Sequence, residues 1–77
     1  MNTTKVQVIV EQDEDGRYVA SCPSLQGCHS QGDTFEEVLE NIKDVIKMCV
    51  EELREENRSL DFRYPEVIAI KNLEIAI

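Results

Sequence analysis

One apolar stripe does most to limit what this chain can become. Within residues 35–53, apolar side chains fall at Phe35, Val38, Leu39, Ile42, Val45, Ile46, Cys49, Val50 and Leu53, the three-and-four spacing that lines one side of an α-helix. The positions between them, Glu36, Glu37, Glu40, Asn41, Lys43, Asp44, Lys47, Glu51 and Glu52, are polar. Thr34 with Glu37 forms an S/T-x-x-E capping box, and Glu36 and Glu37 sit in the first turn, where the helix dipole favours negative charge. Burying such a stripe gains ~1.5–3 kcal/mol per side chain, most of it cancelled by ordering entropy. The helix therefore docks on a sheet and does not stand alone.

The remaining sequence supplies that sheet. Residues 5–11 alternate, with Val6, Val8 and Val10 on one face and Gln7, Ile9 and Glu11 on the other, which predicts a strand. Gln12-Asp13-Glu14-Asp15-Gly16 reads as a polar hairpin turn, because Gly16 tolerates the positive φ that tight turns require. Residues 17–21 return as a second strand. Cys22-Pro23-Ser24-Leu25-Gln26-Gly27 is a loop, since proline lacks the N–H that a central strand must donate. Residues 28–31 are a short third strand at the sheet edge. After the helix, 57–64 break the pattern, and residues 66–70 (Glu66, Val67, Ile68, Ala69, Ile70) are expected as a fourth strand, running on toward Ile77. The fold class is α+β, in the order β-β-β-α-β: a mixed four-stranded sheet with one helix packed on one face. The whole chain, 1–77, is a single domain without repeats.

Charge narrows the function. With 8 basic and 16 acidic residues the formal net charge is −8. That argues against a nucleic-acid surface, which needs clustered Lys and Arg. It suits a basic protein partner, although it also serves solubility. Met1-Asn2-Thr3-Thr4-Lys5 leads straight into an alternating strand, so no secretory leader is expected, and no run approaches a membrane span. Cys22, Cys28 and Cys49 are an odd number, which fits reduced thiols in a cytoplasmic protein. The second sheet face, with Ile9 and the C-terminal isoleucines, calls for a second chain, and a homodimer is expected.

Three segments together resemble the HicB antitoxin family. Asp13-Glu14-Asp15-Gly16-Arg17-Tyr18-Val19-Ala20 is similar to its D-x-D-G-x-Y-x-A run, Pro23-Ser24-Leu25-Gln26-Gly27-Cys28 to P-x-L-x-G-C, and Gly32-Asp33-Thr34-Phe35-Glu36-Glu37-Val38-Leu39 to G-D-T-x-E-E-x-L. Ser24 stands where an acidic residue is often found, Gln26 where a second proline is, and Val38 where alanine is usual. The resemblance implies a truncated ribonuclease H-like fold with strand order 3-2-1-4. It also implies binding to a small basic toxin of the HicA type, an RNA-cleaving protein, rather than enzymatic activity. Family members that add a C-terminal DNA-binding domain repress their operon; direct DNA binding is not expected of this chain. The alternative is a stand-alone homo-oligomeric adaptor with no toxin.

Candidate partner-binding residues are Asp13, Asp15, Tyr18, Pro23 and Leu25. Tyr18 alternatively packs half-buried against the helix, and Leu25 either anchors a partner or plugs the end of the core. No catalytic residue, metal or cofactor is expected. Asp13, Glu14, Asp15 and Asp33 are the carboxylates a metal-dependent nuclease would use, but turn and capping chemistry accounts for all four. Cys22, Cys28 and His29 have no standard zinc spacing, and adjacent Cys28 and His29 point to opposite faces of a strand.

Overall fold

A computed structural model describes residues 3–77; the first two residues of the expected leaderless start lie outside it. Three strands form, β1 (Ile9–Gln12), β2 (Tyr18–Ser21) and β3 (His29–Gly32), followed by the helix α1 (Phe35–Glu55). The sheet is antiparallel in the order β1-β2-β3, with Gln12 opposite Tyr18 and Tyr18 opposite Gly32. Val6 and Val8 pack half-buried on the core as the alternation predicts, yet strand pairing begins only at Ile9. The reason lies in β2. Ile9 pairs with Ser21, and beyond it Cys22 donates its N–H to the Cys28 carbonyl at 2.9 Å while Pro23 has none to give.

The helix begins and ends as its sequence dictates. Thr34 is extended, and its hydroxyl accepts the Glu37 N–H at 3.0 Å. At the far end Asn57 takes φ +56°, Arg58 N–H reaches the Leu53 carbonyl at 2.8 Å and Asn57 N–H reaches that of Arg54 at 3.1 Å. This is a Schellman cap with asparagine in glycine's usual place. Val38 and Ile42 are fully buried, joining Ala20, Cys22, Leu25 and Cys28 in the core. The helix lies over β2 and β3, and Asn41 Nδ2 fastens it to the Gln31 carbonyl at 2.9 Å. Contact is closest at Gly32, where an added Cβ would meet the Val38 nitrogen at 2.8 Å.

The α+β class holds, with three strands and one helix; among the described residues the expected fourth strand is not shown, and the three strands that are present pair antiparallel rather than in a mixed sheet. The 66–77 segment is instead tied to the N-terminal segment through a side chain. Val67 N–H donates to Gln7 Oε1 at 2.7 Å, and Gln7 Nε2 donates to the Val67 carbonyl at 3.3 Å. The Gln7 carboxamide thus occupies the Val67 N–H and carbonyl, the two groups a ladder to a neighbouring strand would use. Among the described residues, no helix is long and apolar enough to cross a membrane.

Candidate partner-binding site

The hairpin turn is built around one carboxylate. Asp13 Oδ1 accepts N–H bonds from Asp15 at 3.0 Å and Arg17 at 2.9 Å, while its backbone bonds to Gly16 and Arg17 close the turn. Gly16, at φ +84°, makes the reversal possible, and Gln12 Nε2 donates to its carbonyl at 3.1 Å. Asp13 thus works inward, and Glu14 and Asp15 are left facing water.

Sheet topology brings a second acidic group to the same end. β1 ends, β2 begins and β3 ends there, so the turn lies beside the start of α1, where Asp33, Glu36 and Glu37 are all exposed. Arg17 Nε meets Asp33 Oδ1 at 3.2 Å across this surface, an exposed pair of little energetic weight. Tyr18 is half-buried at the same end, its ring 6.3 Å from that of Phe35 and tilted by 56°. Phe35 itself remains 44% exposed, so this pair offers an aromatic patch within an acidic rim.

Pro23 and Leu25 are elsewhere. The 22–28 loop follows the other end of β2, so the five candidate residues divide between opposite ends of the sheet. Leu25 N–H bonds the Cys22 carbonyl and Cys28 N–H bonds that of Leu25, both at 3.1 Å, with Gly27 at φ +74° completing the turn. This folds Leu25 inward to 6% exposure: it plugs the core end, and as an exposed anchor it is corrected. Pro23 is half-buried, and Gln26 and Gly27 are what the loop presents outward. Beside the loop, a cleft of about 520 Å³ is lined by Ser24, Gln26, Cys49, Glu52, Glu56 and Arg58.

That all three thiols meet has no local signal along the chain. Cys22 and Cys28 face the core from the two ends of the loop, and Cys49 comes down on them from the helix. Burial, followed by the neighbouring Cys49 and Cys22 sulfurs, pushes the Cys28 thiol up to about 12. His29 points the other way, into solvent, so the strand alternation separates it from the thiols. Although the three sulfurs neighbour one another, among the described residues no group of three or more His, Cys, Asp or Glu is placed to hold a metal ion. Asp13 and Asp33, two of the four carboxylates a nuclease would need, are engaged in the turn and with Arg17.

Comparison with known proteins gives this arrangement a family. Residues 6–74 match the model of the HicB-like antitoxin of bacterial toxin-antitoxin systems. A UPF0150 protein of Synechocystis sp. is 44% identical over 59 residues, spanning 77% of this chain and 86% of its own. Another from Thermoplasma acidophilum is 41% identical over 66 residues, 86% of this chain and 96% of its own. The crystal structure of the N-terminal domain of Burkholderia pseudomallei antitoxin HicB superposes with a TM-score of 0.64 over 88% of this chain and 95% of that one, at 23% identity, a likeness of fold. The three segments around the acidic turn, the 22–28 loop and the capped helix start all lie inside the matched region, and the chain belongs to the HicB-like antitoxin family.

Proposed function

We propose that this chain binds and neutralises a small basic ribonuclease toxin of the HicA type, by covering the toxin's surface rather than by catalysis. Family membership carries the reading, and the acidic end of the sheet supports it. Glu14 and Asp15 of the turn and Asp33, Glu36 and Glu37 at the helix start converge there on a chain of net charge −8. Fields of that sign accelerate encounter with a basic protein and fix its orientation. The exposed edge of Phe35, backed by Tyr18, supplies the apolar contact that charge alone does not. Pro23 and its loop, at the opposite end, form a second contact for a partner long enough to span the sheet. Nucleic acid is not a direct partner of such a surface.

The test is capture of the tagged chain from its native cells, followed by assay of what co-purifies. A small basic protein near stoichiometry, whose RNA cleavage stops when this chain is added, is the expected result. Recovery of the chain with copies of itself alone would replace the toxin reading with a homo-oligomeric adaptor. With the toxin in hand, Asp15→Lys should slow association and flatten its salt dependence. Unchanged rates would remove the turn from the interface.

A further inference from the structure

Three thiols meet in the core of a chain whose acidic end makes no use of them. Cys22 and Cys28 are buried, and Cys49, half-buried, packs on them from the helix stripe that also carries Ile46 and Leu53. A single free thiol is ordinary core filling, whereas neighbouring thiols of unequal exposure have the layout of a pair that oxidises in two steps. The three are not equivalent, and their placement gives each a different part.

Cys49 is the thiol that solvent reaches. It lines the cleft of about 520 Å³ beside the loop, together with Glu52, Glu56, Arg58 and Asp61. Three carboxylates against one guanidinium make that cleft negative, so it admits a small neutral oxidant more readily than an anionic one. Cys28 lies behind. Burial and the adjacent sulfurs raise its thiol, so it holds its proton and does not attack first. Cys49 bears on Cys28 more strongly than Cys22 does, although Cys22 is the strand neighbour. Strand geometry is what sets Cys22 aside. Ser21 pairs with His29, so Cys22 stands opposite Cys28 and donates its N–H to the Cys28 carbonyl at 2.9 Å. Residues at such a hydrogen-bonded pair hold their Cβ atoms at the wide end of the cross-strand range, about 5.5 Å, whereas a disulfide needs about 3.5–4.5 Å. Joining Cys22 to Cys28 would strain that bond. A helix side chain packed on Cys28 from the layer above is under no such constraint.

We infer that Cys49 and Cys28 are a peroxide-oxidisable pair, closing a disulfide that staples α1 to the 22–28 loop while Cys22 stays reduced. The oxidant is hydrogen peroxide. The Cys49 sulfur attacks one peroxide oxygen and the O–O bond breaks. Hydroxide leaves with the thiol's proton as water, and Cys49 is left as a sulfenic acid. The Cys28 sulfur then attacks the Cys49 sulfur: the S–S bond forms, the S–O bond breaks, and the Cys28 proton departs with that oxygen as a second water. The two thiols lose two electrons and the peroxide gains them. A raised Cys28 thiol delivers its proton directly to the departing oxygen, so closure needs no separate base. The new bond ties α1 to the foot of the loop that presents Gln26 and Gly27, at the end of the sheet opposite the acidic turn.

The experiment uses the purified 77-residue chain alone, so its outcome is independent of any toxin. Reduced chain, freed of reductant, is exposed to a small excess of hydrogen peroxide, capped with N-ethylmaleimide and digested with trypsin without reduction. Trypsin leaves Cys22 and Cys28 together in the peptide 18–43 and Cys49 in 48–54. The expected product is those two peptides joined, with the maleimide on Cys22 by fragmentation. The undigested chain should keep the covalent mass of one 8.8 kDa copy, and dithiothreitol should restore three free thiols. A link through Cys22, a link between two chains, three capped thiols, or Cys49 carried on to sulfinic acid with Cys22 and Cys28 both capped overturns the inference. Cys22→Ala should keep the link and Cys28→Ala should lose it. Should either variant fail to fold, the position of the maleimide in the parent chain still decides.

Discussion

Replacing Gly32 by alanine should destabilise the fold through a collision of backbones, not through any conformational preference of glycine. Gly32 closes β3 under the first turn of α1, and the new Cβ would stand 2.8 Å from the Val38 nitrogen, 3.1 Å from its Cα and 3.2 Å from the Glu37 carbonyl carbon. Ordinary contact begins near 3.4 Å, so strand and helix must separate by about 0.6 Å. Separation loosens Val38 and Ile42, the two largest fully buried side chains, from Ala20 and Cys22. Overpacking of this sort costs about 1–3 kcal/mol. For a domain of this size that lowers Tm by roughly 5–20 °C, read from thermal melts at one fixed protein concentration. Gly27 is the control. Its Cβ would meet nothing within 4 Å, but its φ is +74°. Gly27→Ala therefore pays about 1–2 kcal/mol for the left-handed backbone, and Gly27→Asn recovers part of it. Gly32→Asn should recover nothing. A Gly32→Ala melt within about 3 °C of the parent would refute the reasoning, because the helix would then have room that the structure denies it.

Other consequences are equally open to measurement. Thr34→Ala leaves the Glu37 N–H without its 3.0 Å acceptor and should cost about 1 kcal/mol in urea titration, whereas Thr34→Ser should be close to neutral. Under reducing conditions stability should decline above pH 9. The Cys28 thiol is raised by burial from 9.0 to about 12, so the folded state keeps its proton while the unfolded chain ionises. That contribution is intact below pH 9 and is lost as pH climbs toward 12; Cys28→Ala should make the alkaline fall shallower. Brief treatment with a thiol reagent at neutral pH should label Cys49 ahead of the buried Cys22 and Cys28, as peptide mass spectrometry would show.

How far the sequence discloses this molecule depends on the range of the interactions involved. The helix is legible almost to the residue, since its stripe, its Thr34 cap and its first-turn acids are all local; the stripe runs over 35–53 and the helix spans Phe35–Glu55. The hairpin is legible for the same reason: Asp13 and Gly16 meet across a turn four residues long. The candidate site is legible only in part. Asp13, Asp15 and Tyr18 are close in sequence and stay together, but the antiparallel run of β2 carries Pro23 and Leu25 to the other end. Leu25 was undecided between anchor and plug, and only the loop's path, set by its bonds to Cys22 and Cys28, turns it inward. The meeting of Cys49 with Cys22 and Cys28 joins residues at least twenty-one positions apart and had no sequence signal.

The fourth strand shows where local reasoning stops. Val67-Ile68-Ala69-Ile70 has every local mark of a strand, yet strand formation requires a neighbouring backbone within hydrogen-bond reach. The sequence by itself determined the helix, the hairpin, the acidic balance and the family-like segments, because each rests on residues within a few positions of one another. Only the tertiary structure decided which end of the sheet gathers the exposed carboxylates, which way Leu25 turns, and that Gln7 takes the place beside Val67 that a strand would have filled. Those outcomes depend on contacts across the chain, and Gln7 and Val67 are sixty residues apart.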